Sequence, residues 1–224
     1  MENYYSYEAS RSFSLVKVFG YMFLGLLESA LSAIGIYYML VSGAIDTNSY
    51  LSITIISSIA LIILIFVTQF FCLKNKKGGL LVYSLYALSM GILLSSLMLS
   101  YSIQFLGFVF LCTAGSFGAM SLYGLLTKTN TISLGIFGVG ALFGILTLSL
   151  VNLFLQSEPI YYLISYIGLA AMLALTAYDV NRAKNMANSG LMYEGMAIYM
   201  ALQLYTDFIY IFLRLVVLLG RNRK

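Results

Sequence analysis

Apolar residues run along this chain in long blocks rather than in alternation. A block of roughly 20 apolar residues matches one bilayer crossing by an α-helix. Seven such blocks fit, at 18–40, 50–73, 80–99, 103–126, 132–155, 160–178 and 196–219. The breaks are short and polar. They are 42–49 with Asp46, the run Lys74-Asn75-Lys76-Lys77-Gly78-Gly79, Ser100-Tyr101-Ser102, 127–131 with Lys128, 156–159 with Glu158, and the longer 179–195. The stretch 80–126 is too long for one span, and Ser100-Tyr101-Ser102 divides it. Pro159, the only proline, falls at a loop-to-helix junction, where its fixed φ and missing N–H do no harm. The pattern predicts an all-α integral membrane protein: one transmembrane domain over 1–224, seven helices and no soluble domain.

Composition agrees. Hydrophobic residues make up 61% of the chain and charged residues 9%, against about 25% charged in a soluble domain. So little charge cannot cover a water-facing surface, so lipid is the solvent for most of the chain. The net charge of +4 lies in short clusters between apolar blocks, with no basic face of the kind that binds nucleic acid. There is no histidine, which excludes histidine-based zinc sites, general bases and pH switches. Cys72 and Cys112 lie far apart inside apolar blocks and read as buried thiols rather than a disulfide. Nucleotide-binding and hydrolase motifs such as GxxxxGK[ST], GxSxG and HExxH are missing. No small-residue cleavage site precedes the first block, so the first span is expected to remain in the mature protein.

Lys and Arg set orientation. Arg11 and Lys17 precede the first span; Lys74, Lys76 and Lys77 follow the second, Lys128 the fourth, and Arg182 and Lys184 the sixth. The alternate loops carry Asp46 and Glu158 but no Lys or Arg. This is the positive-inside pattern with a cytoplasmic N-terminus. Arg221, Arg223 and Lys224 break it: either the rule fails at this end or the last segment does not cross fully. In the fifth span Gly140-x-x-x-Gly144 is expected to pack closely inside the bundle, with a dimer contact as the alternative.

Charges inside spans cost roughly 2.5–3.5 kcal/mol each at a helix centre. Glu28, Asp179, Asp207 and Arg214 are the candidates. Gln203, Asp207, Tyr210 and Arg214 fall near one helical face, which predicts a last helix turned toward the bundle interior. Asp207 and Arg214 are about 10 Å apart along the axis, too far for a relaxed ion pair. Asp179 ends the sixth block, and the sixth and seventh spans run antiparallel, so the two carboxyls can meet. Two carboxyls sharing a desolvated site do not both ionise cheaply, and they titrate as a unit. Doubly ionised, they form a hard oxygen site for a cation such as calcium. The plainer alternative is that each aspartate is a structural hydrogen-bonding group or pairs with Lys or Arg at the rim. Glu28 lies mid-span beside Ser29 and Ser32, where hydroxyls on neighbouring helices could satisfy it.

Four segments carry a resemblance. They are Phe117-Gly118-Ala119-Met120-Ser121-Leu122-Tyr123-Gly124 with Thr127-Lys128, the stretch from Gly144 through Val151-Asn152-Leu153-Phe154, Thr176-Ala177-Tyr178-Asp179, and Leu204-Tyr205-Thr206-Asp207-Phe208. Together they resemble the transmembrane Bax inhibitor motif family, in its bacterial form. The resemblance implies six helices around a central C-terminal helix. It also implies a di-aspartyl pH sensor, carried here by Asp179 and Asp207, that gates a calcium leak. In the family a basic residue near the cytoplasmic end of the second span latches the aspartates. Here that place holds Leu73 and then Lys74, so Lys74 is the candidate latch, with Arg214, Glu28 and Gln203 as secondary candidates. The loop between the sixth and seventh spans looks a few residues longer than in close bacterial members.

Three functions compete. The first is a pH-sensitive calcium (cation) leak channel in a bacterial plasma membrane, with no cofactor and with calcium and protons as its ligands. The second is a non-transporting regulator that binds another membrane protein such as a protease. The third is an intramembrane aspartyl protease, which needs a proton-sharing dyad. Tyr205-Thr206 stands where such proteases have Gly-x-Gly before the second aspartate, and their Pro-Ala-Leu motif is missing. The chain is therefore not expected to be an enzyme.

Overall fold

The structure is a computed structural model that describes residues 2–74 and 76–220, with side chains described for 15–72 and 78–220. The described residues form seven helices and no strand. The helices are α1 (Glu2–Val41), α2 (Thr47–Lys74), α3 (Lys76–Ser100), α4 (Ile103–Leu126), α5 (Ile132–Leu155), α6 (Glu158–Asn188) and α7 (Glu194–Gly220). All seven are long and apolar enough to cross a membrane. The protein is an all-α integral membrane bundle.

Lipid as solvent turns the usual burial pattern round. Many large apolar side chains point outward: Phe154 is 85% exposed, Leu126 77% and Leu111 70%. Small and hydroxylic residues point inward, with Ser29, Thr68, Ser95, Thr113, Ser165 and Thr176 all buried. Lipid tails are as apolar as leucine, so burying leucine gains little; close packing and internal hydrogen bonds hold the helices together.

The chain divides into two compact units. The first comprises Met1–Ile103 and Met186–Tyr205, the second Gln104–Asn185 and Thr206–Lys224. In the first, α3 packs against both α1 and α2. The edges of Tyr83 and Tyr86 meet Tyr205, with ring centres 6.0 and 5.9 Å away. The Tyr205 hydroxyl and Ser29 Oγ are hydrogen-bonded at 2.6 Å, and the same Oγ lies 2.9 and 2.8 Å from the carbonyls of Gly25 and Ala87. At the start of α7, Gly195 lies so close to the Cys72 carbonyl that a Cβ would collide with it. In the second unit, Phe208 packs between Phe110 and Phe117, with ring centres 5.3 and 5.5 Å away. Gly124 meets the Ala177 backbone with no room for a Cβ. Both cysteines are free.

Three expectations change. Gly140 and Gly144 have no neighbour that a Cβ would meet; the close-packed glycines of α5 are Gly135, against Tyr178, and Gly138, against Leu175. The inward face of α5 is therefore the one carrying Gly135, Gly138 and Ile145. Hydropathy ends the sixth span at Tyr178, whereas α6 runs on to Asn188. The reason is that residues 180–188 are polar but hold no helix breaker. The stop is Gly190, at φ +71°, with the Leu191 N–H bonded back to the Met186 carbonyl at 3.1 Å. The polar stripe on α7 is only partly inward: Asp207 is buried, Gln203 and Arg214 are half-buried and Tyr210 is exposed. A tyrosine has an apolar body and tolerates the lipid face.

Asp46 caps α2. Its carboxylate accepts from the Ser49 hydroxyl at 2.5 Å and from the N–H groups of Asn48 and Ser49 at 3.1 and 3.4 Å. The Ser49 hydroxyl foremost, with these amides, holds the carboxyl below the usual carboxylate range. The cap is complete above about pH 4 and is lost as acid protonates it. The protection of the Asn48 and Ser49 amides, relative to intrinsic exchange, is expected to fall below that pH, and at every pH in Asp46→Ala. Gly195→Ala is expected to destabilise the fold by about 1–3 kcal/mol through overpacking on Cys72. Gly20→Ala, where nothing lies within reach of a Cβ, should be neutral or stabilising by about 0.5–1 kcal/mol; thermal unfolding in detergent reads both.

Candidate functional site

Asp179 lies within α6, about two turns before its end, because the helix continues past it, and Asp207 lies in the middle of α7. Both belong to the second unit, and both are buried, at 8% and 5% exposure. The structure brings them together: the two carboxyls lie within electrostatic reach of each other. Thr176, one turn before Asp179, is hydrogen-bonded with the Asp207 carboxyl. Its hydroxyl also donates to the Met172 carbonyl at 2.8 Å. A threonine has one hydroxyl proton. That one proton is shared between the Met172 carbonyl and the Asp207 carboxyl. The second oxygen of Asp207, Oδ2, is buried without a protein partner.

The cation acting on Asp179 is Arg182, one turn further along α6. In the sequence Arg182 is a topology marker; the i, i+3 spacing from Asp179 is the signal that links it to the site. The other sequence candidates lie apart from the pair. Arg214 rests against Gly168 within the second unit. Gln203 belongs to the first unit, donating through Nε2 to the Tyr199 hydroxyl at 3.1 Å, with Oε1 buried and unpartnered. Glu28 is also in the first unit. Its Oε1 accepts from Ser84 at 2.9 Å and its Oε2 is buried without a partner. Lys74 closes α2, and its side chain lies outside the described residues.

A family model described as inhibitor of apoptosis-promoting Bax1 matches residues 11–224. The chain belongs to the Bax inhibitor-1 family. It is 36% identical to the inner membrane protein YbhL of Escherichia coli, over 93% of this chain and 92% of that protein. It is 34% identical to the uncharacterized protein YrjE of Lactococcus lactis, over 91% and 88%. An uncharacterized protein of Borreliella burgdorferi is 33% identical over 94% and 92%.

Around the aspartates, this Bax inhibitor-1 family chain carries supporting contacts that hydropathy does not show. Asn181, buried on α6, donates to the Gly124 carbonyl at 3.0 Å. Its Oδ1 accepts from Thr131 and from Asn185, both at 3.1 Å. Lys184 donates to the carbonyls of Leu125 and Thr127, each at 2.9 Å. The last carbonyls of α4 have no partner within their own helix, and α6 supplies one. In the first unit, Lys17 pairs with Glu194 at 2.9 Å, and the Tyr21 hydroxyl donates to the same carboxylate. Glu194 sits in what hydropathy reads as loop, and nothing in the spacing of Lys17 and Tyr21 points to it.

Asn181→Leu leaves the Gly124 carbonyl and the Thr131 hydroxyl buried without their partner. It is expected to cost about 1–3 kcal/mol, seen as a lower unfolding temperature in detergent.

Proposed function

We propose that this Bax inhibitor-1 family protein is a pH-responsive cation leak channel, with calcium as the permeant ion, and that Asp179 and Asp207 form its pH-sensitive element. The observation that carries this reading is Asp207: a carboxyl buried within a membrane-spanning helix, beside a second carboxyl, with one oxygen lacking any protein partner. A structural aspartate at such depth would be matched by a cation or a full set of donors. Arg182 offsets part of the charge on Asp179, whereas Asp207 has Thr176 alone.

The two protonation states differ in what they do to the helices. With a proton on Asp207, the pair carries at most one charge. With both ionised, two negative charges repel across α6 and α7, and Asp207 Oδ2 becomes a hard oxygen ligand. Calcium takes six to eight oxygens, so hydroxyls, carbonyls and water must complete its shell. Two carboxyls suit an ion in passage better than one held permanently. Reading the site as a cation path gives the chain a transport role rather than a catalytic one.

The placement is a bacterial plasma membrane with the N-terminus cytoplasmic. YbhL is an inner membrane protein, and the Lys and Arg of this chain alternate from loop to loop as the positive-inside rule requires. The Lys184 contacts support that reading, since they hold the basic stretch of α6 against the end of α4 that leads to Lys128.

Calcium flux into liposomes holding the purified protein, from about pH 6 to 8, tests the proposal. That window covers where coupled, buried carboxyls titrate. A leak that varies with pH is expected, and Asp179→Asn or Asp207→Asn should leave a flux that no longer responds to pH. Flux equal to that of empty liposomes at every pH would sink the channel and favour a regulator that acts by binding another membrane protein.

A further inference from the structure

In the second unit two buried side-chain oxygens lack a protein partner: Asp207 Oδ2 and Ser121 Oγ on α4. An unpaired buried polar group costs free energy, and alanine in the same place would avoid that cost. Serines and threonines in membrane helices commonly settle the matter by bonding back to the carbonyl four residues earlier. Thr113 does so to Val109 at 2.8 Å, and Ser116 to Cys112 at 2.9 Å. Ser121, on the same helix, does not.

Its position explains where the hydroxyl belongs. Phe117, Ser121 and Gly124 share the buried face of α4. Phe117 packs on Phe208, the residue after Asp207. Gly124 packs on the backbone of Ala177, the residue after Thr176. Ser121 lies between these contacts, about 6 Å along the axis from the first and about 4.5 Å from the second. The α4 face is thus held against the Thr176–Asp207 pair with one polar group at the middle.

The geometry points to Ser121 as the third polar member of the aspartate site, donating its hydroxyl to Asp207 Oδ2, directly or through one buried water, when Asp207 is ionised. This rests on the reading of the aspartates as the pH-sensitive element and adds α4 to it. Ser121 is a positioning residue: it holds no proton for transfer and sets how readily Asp207 gives one up. The charged groups acting on Asp207 from α6 are Asp179 and, through it, Arg182. The facing positions of α4 (Phe117, Ser121 and Gly124) carry no charge.

Infrared difference spectra of the protein in lipid vesicles test this directly. The carbonyl stretch of a protonated carboxyl is followed against pH, and the Asp207 band is assigned by its loss in Asp207→Asn. Losing a hydrogen bond to the ionised form should move the midpoint of that band toward higher pH by about one unit in Ser121→Ala. Ser121→Thr, which keeps the hydroxyl, should restore it. A Ser121→Ala midpoint equal to wild type, or an Asp207 band that never titrates, overturns the proposal. Calcium flux on the same vesicles separates the two readings. No flux, with a midpoint that still follows Ser121, removes the channel and keeps the contact. A pH-dependent flux whose midpoint is indifferent to Ser121 removes the contact and keeps the channel.

Discussion

A carboxyl buried in a helix that lipid surrounds is the constraint on which the second unit turns. Asp207 is cut off from bulk water, so its charge state and its partners must be settled inside the protein. The neighbouring residues follow from that need. Thr176 meets one side of it, Asp179 makes full ionisation costly, and Phe208, clasped by Phe110 and Phe117, fixes the helix that carries it. A leucine at 207 would pack more simply. An aspartate there makes sense where a change of protonation is useful.

The same solvent explains the long α6. A helix that stopped at Tyr178 would put Asp179 at a frayed end, where water could solvate it. Continuing to Asn188 buries Asp179 within regular helix and presents Asn181 and Lys184 to the end of α4. Those two side chains satisfy carbonyls that α4 cannot satisfy itself. The helix that carries one aspartate is therefore tied to the α4–α5 turn by at least three hydrogen bonds, and its register relative to α4 is well defined. A site that depends on two carboxyls meeting needs that rigidity.

Much of this is legible in sequence, and the limits have physical causes. Hydropathy reports which segments prefer lipid, so it finds seven helices and places Asp179 and Asp207 on two of them. It says nothing of where a helix stops once the chain becomes polar, because 180–188 is hydrophilic and still helical; Gly190 was the signal to use. It also does not say which face of an apolar helix turns inward. On α5 the spacing of Gly140 and Gly144 imitates a packing motif, while Gly135 and Gly138 make the contacts. The tie between Lys17, Tyr21 and Glu194 spans most of the chain, and no local pattern encodes it.

The carboxyls differ in how completely they are matched. Glu194 has a lysine and a tyrosine hydroxyl; its pair with Lys17 is partly exposed, which limits it to about 0–1 kcal/mol. Glu28 has a serine on one oxygen and nothing on the other. Asp207 has a threonine whose proton is shared with Met172, an acidic neighbour and a bare second oxygen. A group matched this poorly adds little to stability, because an apolar residue of its size would avoid the cost. On the proposed reading it keeps a protonation equilibrium available inside the membrane, and with histidine missing from the chain, the two buried aspartates are the groups that carry it.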